Sequence, residues 1–391
     1  MKPRWFRLPA VGTLLAISLL LVGTLSADNG PAHQTVQIRP IQLGTSGGNI
    51  KDRSMAFCCS GTLGALVTKG DVKYILSNNH VLARTNKASV GDDIIQPGLI
   101  DQSPACFQDV VDAVADLSQW QTISFLKGTT NVVDAAIAKV RAGMVTDGSI
   151  LDIGTVSSTP ATAAINMSVQ KSGRTTGLTA GTILATNVTI SVKYGSVCGG
   201  GKGTARFTNQ IRIGYANFSA GGDSGSLIVT NGNGTPQPVG LLFAGSSTDT
   251  FANPIQDVLA AFSLDGQQVT VVGAAPSEGS SFWRWLASYF PRARVAHAAQ
   301  AGRRPVDPAS QAAATHAKER NEQAIMRIRG VVGIGVGASD VAPGEAVVEV
   351  YVEKDTPAVR AAIPAQLDNV PVKVVETGEI TARPLTCPAS R

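Results

Sequence analysis

The sequence of 391 residues contains little charge and few aromatic side chains. Charged residues make up 16% of the chain and aromatic residues 5%, whereas hydrophobic residues make up 43%. This composition excludes a disordered chain, because enough apolar surface is available to form a sizeable core. Glycine is abundant, with 41 residues. Together with the scarcity of aromatic rings, this favours a turn-rich β protein over a helical bundle.

Spacings typical of a metal site are also absent. No two histidines lie at ligand spacing and no cysteines form a C-x-x-C pair, so we expect neither a zinc site nor a cofactor; the histidines are His33, His80, His297 and His316. The formal net charge is +5, and no lysine or arginine cluster lies beside interleaved aromatic residues. Nucleic acid is therefore not an expected partner.

Only one long hydrophobic run is present. Residues 8–25 are almost wholly apolar, follow the basic segment 1–7 and precede the small residues Ser26 and Ala27. This three-part pattern predicts a signal peptide over residues 1–27 that is cleaved after Ala27. An uncleaved membrane anchor is the alternative, since a run of this length could just span a bilayer. We expect a secreted or periplasmic protein.

Export would allow disulfides, and the chain has five cysteines. A bridge between the neighbours Cys58 and Cys59 would be strained. The simplest arrangement joins these two to Cys106 and Cys198, in an order that the sequence leaves open. Cys387 then remains unpaired.

Short β-like runs, broken by Gly, Asn, Asp and Ser, fill residues 55–265. Their number and spacing predict an antiparallel barrel or sandwich, so we assign an all-β fold to this domain. Helices alternating with strands are absent, which argues against a nucleotide-binding α/β fold. Residues 28–54 are interpreted as an N-terminal extension.

The composition changes after the β region. Residues 266–309 are interpreted as a linker with one short amphipathic helix that carries Trp283 and Trp285. These rings are expected to pack on a domain surface, and contact with a membrane surface is the alternative. Residues 310–380 predict a small α+β domain, and residues 381–391 a C-terminal tail.

The segment 221–226, GGDSGS, could expose the hydroxyl of Ser224 on a tight turn, although an ordinary Gly/Ser loop is the alternative. A serine nucleophile needs a base, and His80 is the one histidine of the β region. It follows the apolar run 72–76. Asp134 is embedded in another apolar run, where an acid needs a partner, and His80 would supply it.

The order His80, Asp134, Ser224, with a GDSG core, resembles that of the chymotrypsin-like (trypsin-like) serine peptidases. The stretch 169–189, VQKSGRTTGLTAGTILATNVT, is similar to secreted bacterial members of the α-lytic protease and streptogrisin type. The resemblance covers roughly residues 57–262. It implies two perpendicular six-stranded β-barrels with the three residues in the cleft between them.

The resemblance also implies a role for each residue. His80 would act as general base and then general acid, and Asp134 would orient it. Ser224 would attack the carbonyl carbon and form an acyl-enzyme. The backbone N–H groups of Gly222 and Ser224 would form the oxyanion hole.

A buried ion pair is implied behind the nucleophile. Relatives carry an arginine just before the S-G-R-T-T run, and Lys171 stands at that position, where it would pair with Asp223. Lysine lacks the bidentate fork of arginine. The chain also departs from the relatives at Val81, where they usually carry a cysteine, so its disulfides must differ.

Matching the relatives places the wall of the primary specificity pocket at residues 242–245, which include Phe243 and Gly245. The base of the pocket would lie near Phe218. No acid stands there, so we expect a preference for small or apolar side chains over basic ones.

The sequence thus predicts an exported serine endopeptidase that acts on protein or peptide substrates. The alternative is a catalytically inactive protein of the same fold that serves as a binding or scaffold protein. The C-terminal unit could assist folding, inhibit the enzyme, target it, or be an accessory domain without a role in catalysis. The sequence leaves the oligomeric state open.

Overall fold

The computed structural model consists mainly of β-strands arranged in two sheets. The prediction of a mainly β fold with two largely antiparallel sheets is confirmed. The predicted signal peptide lies outside the residues that the structure describes, as does most of the predicted linker with its helix and aromatic cluster. The described residues are 32–195, 200–214, 217–263, 266–275 and 305–382, with the backbone of 385–388.

The first sheet has nine strands: β1 Thr45–Asn49, β2 Phe57–Leu63, β3 Ala65–Lys69, β4 Val72–Ser77, β5 Asp93–Ile95, β6 Ala113–Trp120, β7 Ala136–Val140, β14 Val269–Val271 and β20 Leu385–Pro388. Their order is β14-β3-β4-β7-β6-β5-β1-β2-β20. Only Gly64 separates β2 from β3. The ladder from β3 through β4, β7, β6, β5 and β1 therefore returns to the same chain segment at β2 and closes a barrel.

Strand β1 lies within the stretch that was expected to be an N-terminal extension. It pairs with β2 on one side and β5 on the other, and all five of its residues are buried. Its sequence, TSGGN, contains no large apolar residue and therefore no alternation that would predict a strand. Pairing with β2 and β5 therefore holds this segment in the strand conformation.

The second sheet has eleven strands: β8 Ser168–Gly173, β9 Gly177–Tyr194, β10 Gly203–Gly214, β11 Leu227–Thr230, β12 Pro238–Gly245, β13 Asp249–Pro254, β15 Val331–Ala338, β16 Ala346–Val352, β17 Gln366–Leu367, β18 Val370–Glu376 and β19 Thr381–Ala382. Strands β8 to β13 pair in the order β10-β13-β12-β11-β8-β9, and β9 pairs back with β10. These six strands therefore close a second barrel.

Of the four α-helices in the described residues, only one is longer than seven residues. Among the described residues none of them is long and apolar enough to cross a membrane. The α-helices are α1 Asn79–Leu82, α2 Ile255–Ala261, α3 Pro308–Ile325 and α4 Pro357–Ala362, and two 3-10 helices cover Leu99–Asp101 and Val110–Asp112. Helix α3 begins where the Asp307 side chain accepts a hydrogen bond from Ser310 N at 2.8 Å, and proline suits its first turn.

The C-terminal unit contains helices α3 and α4 and strands β15 to β18, and it shares a sheet with the second barrel. Strand β15 pairs antiparallel with β9, with Ile334 opposite Thr189. The predicted tail is also part of the sheets, because β19 pairs with β12 and β9, and β20 pairs with β2. Strands of two to four residues are too short for hydrophobic periodicity to reveal them.

One hydrophobic cluster joins the two barrels. It combines first-barrel side chains with second-barrel side chains and with helix α2, and it includes Leu63, Ile75, Ile137, Leu227, Leu241 and Val258. Alternating side chains of each strand point into a barrel. The shared cluster excludes water from the boundary at which the candidate site lies.

A disulfide joins Cys58 of β2 to Cys106, one of the pairings that the sequence left open. Cys59 is disulfide-bonded as well, and Cys198 lies outside the described residues. The Cys58–Cys106 bridge ties β2 to the loop that follows the first 3-10 helix.

A buried ion network attaches the C-terminal unit to the second barrel. Arg212 of β10 lies 2.8 Å from Asp249 and 2.9 Å from Glu349 of β16. The Tyr351 hydroxyl donates to the same Glu349 at 3.0 Å. A buried charge that loses its partner is strongly destabilising, so this network favours the observed docking of the two units.

Replacing Arg212 by methionine should therefore lower the free energy of unfolding by about 3–5 kcal/mol. Asp249 would remain buried without its cation, and Glu349 would keep only one cation, Lys373, at 3.4 Å. The control is Arg320→Met, which removes the exposed Arg320–Asp368 pair and should cost at most about 1 kcal/mol. Chemical denaturation of the two variants measures the difference. Equal stability losses would contradict the assigned importance of the network.

Candidate active site

His80 lies where strand β4 of the first barrel ends. It is the second residue of the single helical turn α1, which follows β4 almost directly. The Asn78 side chain donates to the Asp134 carbonyl at 2.7 Å. Because this bond ties the turn to the chain just before β7, the position of His80 relative to Asp134 is fixed.

The structure brings His80 and Asp134 into contact. His80 Nδ1 lies 2.6 Å from Asp134 Oδ2, and the His80 backbone N–H donates to Asp134 Oδ1 at 3.1 Å. Both residues are buried. An ionised carboxylate at Nδ1 keeps a proton there, which leaves Nε2 as the ring atom that can accept another. Nε2 is buried, and it has no hydrogen-bond partner among the described residues.

Two residues of the second barrel also hold Asp134. The Tyr194 hydroxyl at the end of β9 donates to Asp134 Oδ2 at 2.8 Å, and the Asp134 N–H donates to Asn253 Oδ1 of β13 at 3.1 Å. Burial, together with the nearby Asp134 charge, raises the pKa of Tyr194 well above its ordinary value, so the phenol stays protonated and donates. Sequence reasoning missed both residues, because no spacing links them to Asp134.

Ser224 lies in the loop before β11, between two glycines with positive φ. Gly222 has φ +96° and Gly225 has φ +97°, a region that favours glycine over any residue with a side chain. The Ser224 carbonyl accepts from Thr62 N of β2 at 2.8 Å. Ser224 is completely buried.

Val81, the residue after His80, and the backbone of Ser224 both lie against Gly61 of β2. A Cβ atom at Gly61 would lie 2.5 Å from Val81 Cγ2 and 2.9 Å from the Ser224 carbonyl oxygen. A side chain at this position would push the two segments apart. The absence of one allows residues from the two barrels to approach each other across β2.

The two N–H groups predicted to bind an oxyanion, those of Gly222 and Ser224, lie on fixed peptide planes. The carbonyl that shares a plane with the Gly222 N–H accepts from Thr175 Oγ1 at 2.6 Å. The carbonyl that shares a plane with the Ser224 N–H accepts from Ser226 Oγ at 2.6 Å. Because each peptide is planar, these bonds set the directions of both N–H groups. Their joint role stays a prediction.

Asp223 and Lys171 lie together in the interior behind this loop. Lys171 Nζ is 3.7 Å from Asp223 Oδ2, and both side chains are fully buried. The carboxylate accepts from three backbone N–H groups at closer range, those of Thr175 at 2.8 Å, Ala220 at 2.9 Å and Thr176 at 3.1 Å. Burial lowers the pKa of Lys171, and Asp223 offsets part of that effect. These backbone donors and the Thr176 hydroxyl, at 2.8 Å, therefore lie closer to Asp223 than the lysine does.

A second buried ion pair joins the two barrels near the site. Arg174 Nε lies 2.8 Å from Asp101 Oδ2, and its Nη2 contacts the other carboxylate oxygen. The Arg174 backbone N–H donates to Thr62 Oγ1 at 3.0 Å, and that hydroxyl donates to the Gly222 carbonyl at 2.8 Å. The sequence marked Arg174 only as part of a motif, since its partner is 73 residues away.

The residues proposed for the specificity pocket lie in different surroundings. Phe218 and Phe243 are fully buried in two hydrophobic clusters, and the Phe243 ring packs against Phe207 with centroids 4.9 Å apart and an interplanar angle of 55°. The cluster of Phe218 consists of side chains of the second barrel and the segment before it, whereas that of Phe243 also contains Tyr351, Ile380 and Ala382. Gly245 ends β12 and pairs with Thr381 of β19. A role for these residues as pocket walls stays a prediction.

The described residues include no group of three or more His, Cys, Asp or Glu side chains arranged to hold a metal ion. The chemistry available at the site is that of a hydroxyl, an imidazole and a carboxylate. Such a set supports proton transfer and nucleophilic attack by the hydroxyl on a carbonyl carbon.

Residues 124–253 match a family model described as the Nal1 C-terminal domain. No curated protein sequence matches the chain. Among solved structures, the chain is similar to bacterial proteases of the chymotrypsin-like kind.

Three of these structures illustrate the similarity. A glutamic-acid-specific serine protease is 23% identical, with 55% of this chain and 97% of that one covered and a TM-score of 0.37. Thermobifida fusca protease A is 20% identical, with 59% and 98% covered and a TM-score of 0.37. The α-lytic protease homologue N4 is 18% identical, with 56% and 98% covered and a TM-score of 0.36.

The loop around Ser224 should tolerate no side chain at Gly225. A Cβ there would lie 2.1 Å from Ser77 Oγ and 2.2 Å from the Thr62 carbonyl oxygen, at φ +97°. The matched control is Gly234→Ala, because Gly234 has φ +106° but nothing within 4 Å. Backbone strain alone costs about 1–2 kcal/mol. Thermal unfolding should show a clearly larger loss for Gly225→Ala, and equal losses would contradict the packing described.

Proposed function

We propose that this protein is a serine endopeptidase in which Ser224 is the nucleophile, His80 the general base and Asp134 the group that orients the imidazole. The observation that carries the proposal is the buried contact of 2.6 Å between His80 Nδ1 and Asp134 Oδ2. This contact selects the tautomer whose Nε2 accepts a proton.

The proposed reaction has two stages. In the first, Ser224 Oγ bonds to the substrate carbonyl carbon while its proton passes to His80 Nε2, and the N–H groups of Gly222 and Ser224 stabilise the oxyanion. His80 then protonates the leaving amine, and an acyl-enzyme remains. In the second stage water attacks the acyl group, with His80 again taking and returning the proton.

The proposed substrate is a polypeptide, and we expect a preference for small or apolar side chains over basic ones. The support is that Phe218, at the position matched to the pocket base, is apolar and buried. We also propose export from the cytoplasm. This rests on the N-terminal pattern and agrees with the Cys58–Cys106 disulfide, because such bridges persist in oxidising compartments.

A binding protein of the same fold is the second candidate. The observation in its favour is the complete burial of Ser224, since a nucleophile must be reachable to act. The two candidates differ in whether the serine is chemically activated, which a covalent probe can measure.

A fluorophosphonate probe should label the full chain at Ser224. Replacing either Ser224 or His80 by alanine should slow labelling by about a thousandfold or more, because the two act as one unit. His316→Ala is the control, since His316 is exposed on helix α3 and its loss should leave the rate unchanged. Equal labelling of the Ser224→Ala variant and the unaltered chain would contradict the proposal.

Tyr194→Phe should slow labelling by about tenfold, because it removes the hydroxyl that donates to Asp134 and leaves a buried carboxylate oxygen with one donor fewer. The matched control is Tyr351→Phe, which removes another buried hydroxyl that donates to Glu349 instead. That variant should lose stability and keep its labelling rate. Equal effects of both variants on the rate would show that Tyr194 acts only through stability.

A further inference from the structure

The candidate site is closed in this structure. Ser224 has 0% of its surface exposed and His80 has 3%. A polypeptide substrate needs room beside the nucleophile and unpaired strand edges to lie against. The elements that pair with the strands around Ser224 therefore decide whether such a substrate can bind.

One edge of β12 runs from the nucleophile loop to β19. The Gly225 N–H donates to the Leu242 carbonyl at 2.8 Å, and the Leu242 N–H donates to the Ser226 carbonyl at 3.0 Å. Two residues further along β12, Ala244 pairs antiparallel with Ala382 of β19. Strand β19 thus continues the ladder that holds the loop of Ser224.

One edge of β2 runs from the nucleophile loop to β20. The Thr62 N–H donates to the Ser224 carbonyl at 2.8 Å, whereas the Cys59 N–H donates away from it, to the Asp52 carbonyl at 2.9 Å. Because neighbouring residues of a strand direct their N–H groups to opposite sides, the Ser60 N–H faces the same side as that of Thr62. Ser60 pairs there with Leu385 of β20.

Strands β19 and β20, named together the C-terminal strap, therefore flank Ser224 from both barrels. Only two residues separate Ala382 from Leu385, so the paired stretches lie within about 11 Å of each other. Both pair antiparallel with their barrel strands. Strands β19 and β20 thus use the strand edges on both sides of the nucleophile loop.

We propose that the C-terminal strap occupies the peptide-binding cleft as an intramolecular ligand and keeps the enzyme latent until it is displaced. The inference rests on the proposed function and specifies its substrate: an extended polypeptide that binds through its main chain, antiparallel to β12 and β2. The strap and the substrate compete for the same edges.

Contacts just before the strap hold it in place. The Lys193 N–H donates to the Ile380 carbonyl at 2.9 Å, and Lys193 Nζ lies 2.8 Å from Glu379. Ile380 and Ala382 are buried in the cluster that contains Phe243. The ladder between β15 and β9 fixes the preceding unit on the barrel, so the strap is present at high effective concentration.

The test compares the full chain with two variants that release the strap. Ala382→Asp puts a charge into the apolar cluster and should expel β19. Leu385→Pro removes the N–H that faces Ser60 and should release β20. Ala382→Ser is the matched control that keeps the strap bound. Thermal unfolding establishes that each variant is folded, and the two releasing substitutions act on different strands, so both must agree.

Hydrogen exchange measures occupancy without any need for catalysis. Residues 244–245 of β12 and the N–H groups of Cys58 and Ser60 in β2, which face β20, should exchange slowly in the unaltered chain and at least tenfold faster in the releasing variants. The unaltered chain should react slowly with the fluorophosphonate probe, and the releasing variants should react at least tenfold faster. A synthetic peptide of residues 379–391, added to the releasing variants, should lower their labelling rate again.

Each outcome is decisive. Fast exchange of these edges in the unaltered chain would overturn the proposal, and so would an unchanged labelling rate in released variants of a chain that labels. If exchange shows released edges and the Ser224 probe still fails in every variant, the endopeptidase function is wrong. Binding of the peptide to those variants alone, measured by fluorescence anisotropy, would then still support the strap as an intramolecular ligand.

Discussion

The buried carboxylate of Asp134 is the constraint on which the site depends. A carboxylate out of water must be met by donors on every side, and no single barrel supplies them. His80 contributes two N–H groups from the first barrel, and Tyr194 contributes a hydroxyl from the second. The two barrels therefore have to dock in one relative position before the charge is satisfied. The same docking orients the imidazole, so stability and chemistry share one set of hydrogen bonds.

Other buried charges repeat this arrangement at each boundary of the molecule. The Asp101–Arg174 pair joins the two barrels, and the Arg212–Glu349 pair joins the second barrel to the C-terminal unit. Buried ion pairs add little net stability, but they penalise any arrangement that separates the partners. Apolar clusters supply the driving force for packing, and these pairs select one packing among several. The loop of Ser224 is held between such fixed elements, on Thr62 and Leu242.

The C-terminal unit connects the latency proposal to the fold. Because β15 extends the sheet of the second barrel, the chain beyond it is delivered to the barrel boundary, where β19 and β20 find open edges on β12 and β2. An exposed strand edge invites pairing with another chain. Covering these edges from within the same chain protects them and closes the cleft, so one segment would meet both requirements.

The sequence by itself determined the β character of the chain and the short list of chemical residues, and its resemblance to the chymotrypsin-like peptidases implied the two-barrel organisation. Few histidines, one GDSG segment and one acid in an apolar run left little choice, and His80 and Asp134 do lie in contact. Hydrophobic patterns report the surroundings of a residue within its own strand. They do not predict that TSGGN forms β1, that Tyr194 and Asn253 bond to Asp134, or that the C-terminal strap pairs with the barrels. Each of these depends on partners that are distant in the chain. Tertiary structure alone decided those contacts, since closing the barrels and burying charge choose partners that local patterns do not encode.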